Sequence, residues 1–341
     1  MNKLIGILEK NKYLILLAVV EFLLFYTNNA PHTFLVGWDN VMPELNFSAN
    51  LERSIYAVWQ EYRGLGVIDG MAHASLLPHT LIAWIFQKIM PLNLIRYVIT
   101  FLLHYLGGVG AFLLIKRMVF RGKADGDESA GFLSFLGAIF YLFNLITIQM
   151  FYTPLEVFSY HFAFLPLLLF AADLFLDKGS RRSFLVFIIL SIFSLPQAHV
   201  PSIFLVYLGS LMTLLSFKVI NSTDRLNTLK KSLLITVTIF LINAYWVLPY
   251  AYMTKNNAAN IINSKINQMS TDSVVLRNKA FGDFVSVSLM RGFTLDYVDY
   301  QEDGNNDYMM KTWRDYHKKF PIISISAAFY LIMLTGAYSA I

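Results

Sequence analysis

The residues of this chain that could do chemistry are polar side chains that stand at the ends of long apolar runs. Asp39, in the stretch FLVGWDN at residues 34–40, follows the first of these runs. A carboxylate at such a place either caps a turn ahead of Pro43 or accepts a proton in catalysis. Ionisable groups near an apolar membrane interior are costly and are often functional, so the whole group carries more weight than any one member. Its members are Asp39, His73, His79, Glu156, Tyr160, His161, Gln197, His199, Asn243 and Trp246.

The composition indicates that lipid is the solvent for much of the chain. Of 341 residues, 56% are hydrophobic and only 14% are charged, whereas a soluble domain has about 25% charged residues. The net charge of +5 is small for this length and does not favour nucleic acid as a partner. The chain has no cysteine, which excludes disulfides and thiolate metal sites.

Runs of about 20 mostly apolar residues predict helices that cross a membrane. We therefore predict an all-α polytopic membrane protein with about eight transmembrane helices. The predicted spans are 13–30, 94–115, 132–151, 158–177, 183–196, 201–217, 232–252 and 321–341.

The distribution of lysine and arginine predicts the orientation of these spans, because cytoplasmic loops collect both residues. They cluster in the N-terminal segment and after the second, fourth and sixth spans, and the short loops YTPLEV and PQAHVPS on the other side have none. The N-terminus is therefore predicted to be cytoplasmic. We expect the basic loops to hold only solvated charges, among them Arg117 and Lys218.

Two long segments are predicted to lie on the outer side, at 31–93 and 253–320. In the first, Pro43 can begin a helix, and the stretch 43–62 is amphipathic. The run 76–90 is predicted to lie along the outer interface, because a span there would reverse every later loop. This gives a core at 1–252 that includes the first outer loop, a second outer loop at 253–320, and a last transmembrane helix at 321–341. The chain stops inside an apolar run, so we expect it to be a piece of a longer protein.

This arrangement resembles the GT-C superfamily of membrane glycosyltransferases. The shared features are a first span, a long outer loop with a carboxylate near its start and two juxtamembrane helices, followed by many more spans. Here these correspond to Asp39 in GWDN, to 43–62 and to 76–90. The stretch NAYWVLPY at 243–250 also resembles an N-x-[FYW]-W-x-L-P element of bacterial arabinofuranosyltransferase-like membrane proteins.

The resemblance implies that the protein transfers a sugar from a polyprenyl-phosphate-linked donor. The acceptor would be an envelope glycan, lipid or protein, at the outer face of the bacterial cytoplasmic membrane. Asp39 is then the candidate base that takes the acceptor's proton, and Arg63 is a candidate for the lipid phosphate. The remaining candidates for substrate binding are His73, His79, Glu156, Tyr160, His161, His199 and Trp246. Of these, Tyr160 and Trp246 have rings that can stack on a sugar or line the lipid groove. Members of the superfamily act with or without a divalent metal, and the residues leave both open.

Structural explanations stand beside these roles. Arg63 can anchor an interfacial helix, and the histidines can cap or line helices. His104 lies in the middle of a span and Glu21 inside the first one, so we expect both to form polar links within the bundle. Gly107, Gly108 and Gly110 would allow a neighbouring helix to approach closely.

Two other functions remain open on the sequence alone. A transporter or lipid flippase would be expected to have polar groups near the bilayer midplane and internal repeats, whereas here the polar groups lie at the ends of spans and no repeat is evident. A non-catalytic membrane protein of envelope assembly is the third hypothesis.

Overall fold

The computed structural model describes most of the chain. The described residues are 11–37, 42–56, 59–60, 66–68, 73–123, 127–263, 276, 279, 283, 286–287, 289–300 and 304–319. Asp39 and Arg63, the candidate base and the candidate phosphate ligand, lie outside this range, as does the predicted last span at 321–341.

Helices make up most of the described chain. In order they are α1 Lys12–Asn28, α2 Phe47–Tyr56, α3 Leu77–Phe86, α4 Leu92–Met118, α5 Glu128–Phe143, α6 Leu145–Tyr152, α7 Glu156–Lys178, α8 Arg181–Phe193, α9 Pro201–Ile220, α10 Arg225–Ile262 and α11 Lys311–Lys319. Short 3-10 helices are found at Pro43–Leu45, His73–Leu76, Leu195–His199 and Phe293–Asp296, and the strands are β1 Trp59–Gln60, β2 Val67–Ile68, β3 Val298–Tyr300 and β4 Asn306–Tyr308.

Four of the described helices are long and apolar enough to cross a membrane, namely α4, α7, α9 and the part of α10 up to Asn256. The number rises to five if the bent pair α5 and α6 counts as one span. Two other predicted spans correspond to shorter helices, since α1 has 17 residues and α8 has 13. The structure is therefore that of a mostly helical protein whose long apolar helices are compatible with a membrane.

The third predicted span, 132–151, is divided into two helices at Asn144. The backbone of Asn144 is extended, with ψ of 158°, and the Asn144 side chain accepts a hydrogen bond from the Thr147 N–H at 3.1 Å. An asparagine in this position satisfies one of the amide groups that a new helix leaves unpaired. The cap therefore ends α5 and begins α6 inside an otherwise continuous apolar run.

The first predicted outer segment is only partly helical. The described part of the amphipathic stretch 43–62 consists of a 3-10 helix, the ten residues of α2 and the strand β1, so a helix is present but is shorter than predicted. Trp59 of β1 pairs with Ile68 of β2 in an antiparallel arrangement, so β1 is not helical. The second stretch contains α3, whose ten residues span about 15 Å, half of the hydrocarbon thickness.

The core of the first compact unit, residues 1–142 and 154–258, is built around the contact between α4 and α7. Gly110 of α4 lies so close to α7 that an added Cβ would meet Pro166 Cγ and Leu167 Cγ at 2.9 Å. At Gly107 the same Cβ would meet the ring of Phe162 at 2.3 Å. The expectation that these glycines allow close approach is confirmed.

The two ionisable residues of the first two predicted spans that we expected to form polar links, Glu21 and His104, form one with each other. His104 Nδ1 of α4 lies 2.8 Å from Glu21 Oε2 of α1, and both side chains are buried. The opposite ring nitrogen, Nε2, lies 3.2 Å from the carbonyl oxygen of Leu142 in α5. One imidazole therefore joins three helices.

A second buried ion-pair group corrects an expectation about the basic loops. Asp173 of α7 is 1% exposed and forms ion pairs with Arg117 at the end of α4 and with Lys218 at the end of α9. Arg117 also pairs with Asp177, which binds Arg121 at 2.5 Å. Arg117 and Lys218 are thus helix-joining residues rather than solvated charges.

The second compact unit comprises residues 143–153 and 259–341. Within it, the Gln149 amide of α6 donates to the Met290 carbonyl at 3.0 Å and accepts from the Gly292 N–H at 2.8 Å. Strands β3 and β4 form an antiparallel hairpin, with Asp299 opposite Asp307. These contacts hold the loop around residue 290 against α6.

Candidate functional site

The structure brings together, from four elements of the first unit, a set of side chains that we call the polar cluster. It consists of Glu44, His79, Arg96, Glu156 and Tyr160. Glu44 comes from the 3-10 helix Pro43–Leu45, His79 from α3, Arg96 from the first turns of α4, and the other two from the first turns of α7. Pro43 begins the short helix of Glu44, and Pro91 precedes α4.

Arg96 is the centre of the polar cluster. Its Nε donates to Glu44 Oε1 at 3.0 Å and its Nη2 donates to Glu44 Oε2 at 3.4 Å, while its Nη1 donates to Glu156. Arg96 is 5% exposed and Glu44 is 4% exposed. Charge-assisted, bidentate contacts of this kind are among the stronger hydrogen bonds in proteins. One guanidinium therefore binds two carboxyl groups in a site that is largely buried from solvent.

His79 extends the cluster towards α7. Its Nδ1 lies 3.3 Å from the Tyr160 hydroxyl, and the two rings meet edge to face with centroids 5.7 Å apart. Burial, assisted by the positive charge of Arg96, lowers the pKa of His79 from 6.5 to about 3. The imidazole is therefore neutral at physiological pH and can accept or donate a hydrogen bond but carries no charge.

The other predicted histidines lie on the neighbouring 3-10 helices and on α7. The rings of His73 and His199 are in edge contact, with centroids 4.9 Å apart. His161 Nδ1 lies 3.0 Å from Gln197 Oε1, and since an amide oxygen only accepts, the ring nitrogen is the donor. The helices Pro43–Leu45, His73–Leu76 and Leu195–His199 all contact α3, and Leu195–His199 also contacts α7, so the predicted histidines and Glu156 belong to one region.

Trp246 and Tyr160, the two candidate stacking residues, are core side chains in this structure. Trp246 is 6% exposed, and its Nε1–H donates to Asn243 Oδ1 at 2.8 Å. Its ring is in edge contact with Phe204 and Tyr250, at centroid distances of 5.2 and 6.1 Å. Asn243 and Trp246 are three residues apart in NAYWVLPY, so their side chains meet across one helical turn and form this hydrogen bond.

Two cavities adjoin the polar cluster. A small polar one, of about 10 Å³, is lined by His79, Arg96, Glu156 and their neighbours, and has room for about one water molecule. An apolar one, of about 290 Å³, is lined by aliphatic and aromatic side chains. Ile99 and Leu103 form walls of both. Polar and apolar spaces are therefore separated by two side chains of α4.

Sequence reasoning missed the central residues of this site, Arg96 and Glu44. Arg96 stands inside the apolar run of the second predicted span, LNLIRYVITFLL. An arginine in such a run needs a buried partner, and this signal could have identified it. Glu44 had no comparable signal, because it lies in a loop where carboxylates are ordinary.

No metal site is evident in the described part of the chain, where no group of three or more histidine, aspartate or glutamate side chains could hold an ion. Comparison with known proteins identifies no relative: no protein family, no curated protein and no solved structure matches this chain.

Proposed function

We propose that this protein is a membrane glycosyltransferase that transfers a sugar from a polyprenyl-phosphate-linked donor to a glycan, lipid or protein acceptor. One observation carries the proposal, namely that a buried polar cluster and an apolar cavity of about 290 Å³ share the walls Ile99 and Leu103. A donor of this class combines a charged phosphate with a long hydrocarbon chain. The apolar cavity can take part of the hydrocarbon chain, whereas the polar space beside it holds about one water molecule, so the phosphate is assigned to Arg63.

The proposal assigns the chemistry to the first outer segment. Asp39 accepts the proton of the acceptor hydroxyl as it attacks the anomeric carbon, and Arg63 neutralises the departing phosphate. The glycosidic C–O bond to the phosphate breaks as the new C–O bond forms. His73 and His199 contact phosphate or acceptor. The polar cluster holds the first turns of α4 and α7 and the short helix of Glu44 together.

The proposed architecture is that of a GT-C-like protein of the bacterial cytoplasmic membrane, with eight spans, a cytoplasmic N-terminus and the site on the outer face. The sorting of lysine and arginine supports this orientation. The ten-residue length of α3 supports its place at the interface.

The test is transfer activity with Asp39→Asn, which keeps the size of the side chain and removes its basicity. Purified protein in lipid vesicles is given a panel of synthetic polyprenyl-phosphate monosaccharides, and labelled sugar is followed into acceptor fractions of envelope extract. We expect the variant to lose about 10²–10⁴ of the wild-type rate, the usual contribution of a general base.

The matched control is Asp224→Asn. Asp224 accepts a hydrogen bond from the Asn227 N–H at the start of α10, and asparagine caps helices equally well. The transfer activity of Asp224→Asn should equal that of the wild type. Full activity of Asp39→Asn removes Asp39 from the mechanism, and absence of transfer from every donor of the panel by folded wild-type protein overturns the proposed function.

A transporter or lipid flippase is the second candidate, and one observation favours it. The buried pair Glu21–His104 lies near the middle of α1 and of α4, and ionisable residues in mid-membrane often mark transport pathways. Vectorial uptake of a solute or lipid by vesicles that show no sugar transfer would favour this candidate over the first.

A further inference from the structure

One end of the first compact unit brings together the ends of several helices. Asp173 of α7 forms ion pairs with Arg117 at the end of α4 and with Lys218 at the end of α9. Near the start of α10, the Lys231 ammonium donates to the Leu176 carbonyl of α7 at 2.8 Å. Only two residues separate the end of α7 from the start of α8. The ends of α4, α7 and α9 and the starts of α8 and α10 therefore lie on the same side of this unit.

The acidic side chains of α7 at this end are already balanced by cations. Asp173 binds Arg117 and Lys218. Asp177 also binds Arg117, and it binds Arg121 at 2.5 Å. Three cations therefore surround two carboxylates, and this group needs no further positive charge. Any other cation at this end has to be balanced by an anion from elsewhere.

Five more cations at the same end are exposed and form no ion pair with a residue that the structure describes. They lie in the last turn of α7 and in the first turns of α8 and α10, and we call them the basic rim: Lys178, Arg181, Arg182, Arg225 and Lys230. The segments 178–182 and 224–231 contain one acidic residue, Asp224, whose Oδ1 accepts the Asn227 N–H at 3.2 Å at the start of α10. The basic rim therefore gives this end a net positive surface.

Exposed apolar side chains continue from the basic rim along α8 and α10. They include Leu185, Val186, Ile189, Leu233, Leu234 and Val237. A soluble polyanion would contact the cations but leave these side chains in water. A phospholipid contacts both, because its headgroup meets the cations while its acyl chains cover the apolar side chains. The combination therefore favours a lipid as the partner of the basic rim over an acidic protein or a nucleic acid.

The length of α10 fits a position of the basic rim at the level of lipid headgroups. From Arg225 to Lys255 the helix rises about 45 Å, at about 1.5 Å for each residue. A bilayer is about 40–45 Å thick when its headgroup regions are included. Between these residues α10 is also long and apolar enough to cross a membrane. The two ends of this stretch therefore match the two headgroup layers, with the basic rim at one of them.

We propose that the basic rim binds the headgroups of anionic phospholipids in the leaflet on its side of the membrane. Each lysine or arginine near an anionic membrane surface adds attraction, and a guanidinium can bind a phosphate through two parallel hydrogen bonds. A zwitterionic headgroup has its own amine to balance its phosphate, so it gains less from the basic rim. The rim lies about 33 Å along α7 from Glu156 of the polar cluster, and its role goes beyond the proposed glycosyl transfer.

The experiment uses the absence of cysteine from the chain. Thr223→Cys, at an exposed position beside the basic rim, and Asn256→Cys, near the other end of α10, each receive a bimane fluorophore. The protein is placed in phosphatidylcholine vesicles that contain nitroxide-labelled phosphatidylglycerol or nitroxide-labelled phosphatidylcholine, and quenching reports the local amount of each lipid. We expect phosphatidylglycerol to be enriched about fivefold at the Thr223 label and little at the Asn256 label. Raising NaCl from about 0.1 M to about 1 M shortens the Debye length from about 10 to about 3 Å, and should remove the enrichment.

Arg182→Gln combined with Lys230→Gln removes two of the five charges and should about halve the enrichment at the Thr223 label. Lys88→Gln combined with Lys255→Gln removes the same charge outside the basic rim and should keep it. Equal quenching by the two lipids at the Thr223 label overturns the proposal without need of these variants. Enrichment that persists at high salt, or that falls equally in both double variants, overturns the role of the basic rim. Binding of poly-glutamate beside the Thr223 label without any lipid preference would assign the rim to an acidic protein instead.

Discussion

Replacing Arg96 by methionine should destabilise the protein severely, because it leaves two carboxyl groups in a buried site without their cation. Methionine keeps an unbranched apolar stem, although a shorter one, and lacks the guanidinium. Glu44 is 4% exposed and the Glu156 side chain is 11% exposed, so water cannot replace the lost contacts. Removing one partner of a buried ion pair typically costs about 3–5 kcal/mol.

The structure also predicts a rescue. Glu44→Gln alone should cost no more than about 1 kcal/mol, because the amide oxygen still accepts from Arg96 and the pair of Arg96 with Glu156 remains. Added to Arg96→Met, the same change removes one of the two stranded carboxyl groups. The double variant should therefore be more stable than Arg96→Met by about 1–3 kcal/mol. If the losses of the two single variants simply added, the double variant would be less stable than Arg96→Met.

The assay is thermal unfolding of purified protein in detergent, followed by tryptophan fluorescence at a fixed scan rate. At about 2–4 °C per kcal/mol, Arg96→Met should lower the midpoint by roughly 6–20 °C. Arg182→Met, at an exposed arginine near the start of α8, is the control and should change little. A midpoint for Arg96→Met within 2 °C of the wild type, or a double variant less stable than Arg96→Met, would refute the account of the polar cluster.

Two further predictions concern neighbouring parts of the first unit. Burial lowers the pKa of His79 from 6.5 to about 3. Between these two pH values the histidine is neutral in the folded protein but protonated in the unfolded chain. The free energy of unfolding should therefore fall by about 1.4 kcal/mol for each pH unit as the pH drops from 6.5 to about 3. Unfolding measured at several pH values should show a flatter pH dependence for His79→Gln. The control His32→Asn, at an exposed turn, should keep the wild-type dependence. An unchanged slope in His79→Gln would contradict the buried, neutral state of His79. Gly110→Ala should cost about 1–3 kcal/mol because its Cβ would meet Pro166 and Leu167. Gly209→Ala, with no atom within 4 Å of the added Cβ, should be neutral or stabilising in the same thermal unfolding experiment. Equal effects of the two substitutions would show that the contact of Gly110 with α7 does not require a glycine.

The sequence determined the class of the protein and many of its elements. Apolar runs predicted α4, α7, α9 and α10, because a helix that buries apolar side chains needs only local backbone hydrogen bonds and a suitable composition. The links from Glu21 and His104 could also be predicted, since an ionisable residue inside such a run has to find a partner. The identity of the partner could not, because the two residues are 83 positions apart.

Only the tertiary structure decided which side chains form the site. Arg96, Glu44 and Glu156 meet across separations of 52 and 60 residues, and no local pattern specifies such a pairing. The same holds for Asp173, which turns Arg117 and Lys218 from loop charges into links between helix ends. Local composition sets the helices because their hydrogen bonds close within four residues. The pairing of buried charges depends on how those helices pack, and that is a property of the whole fold.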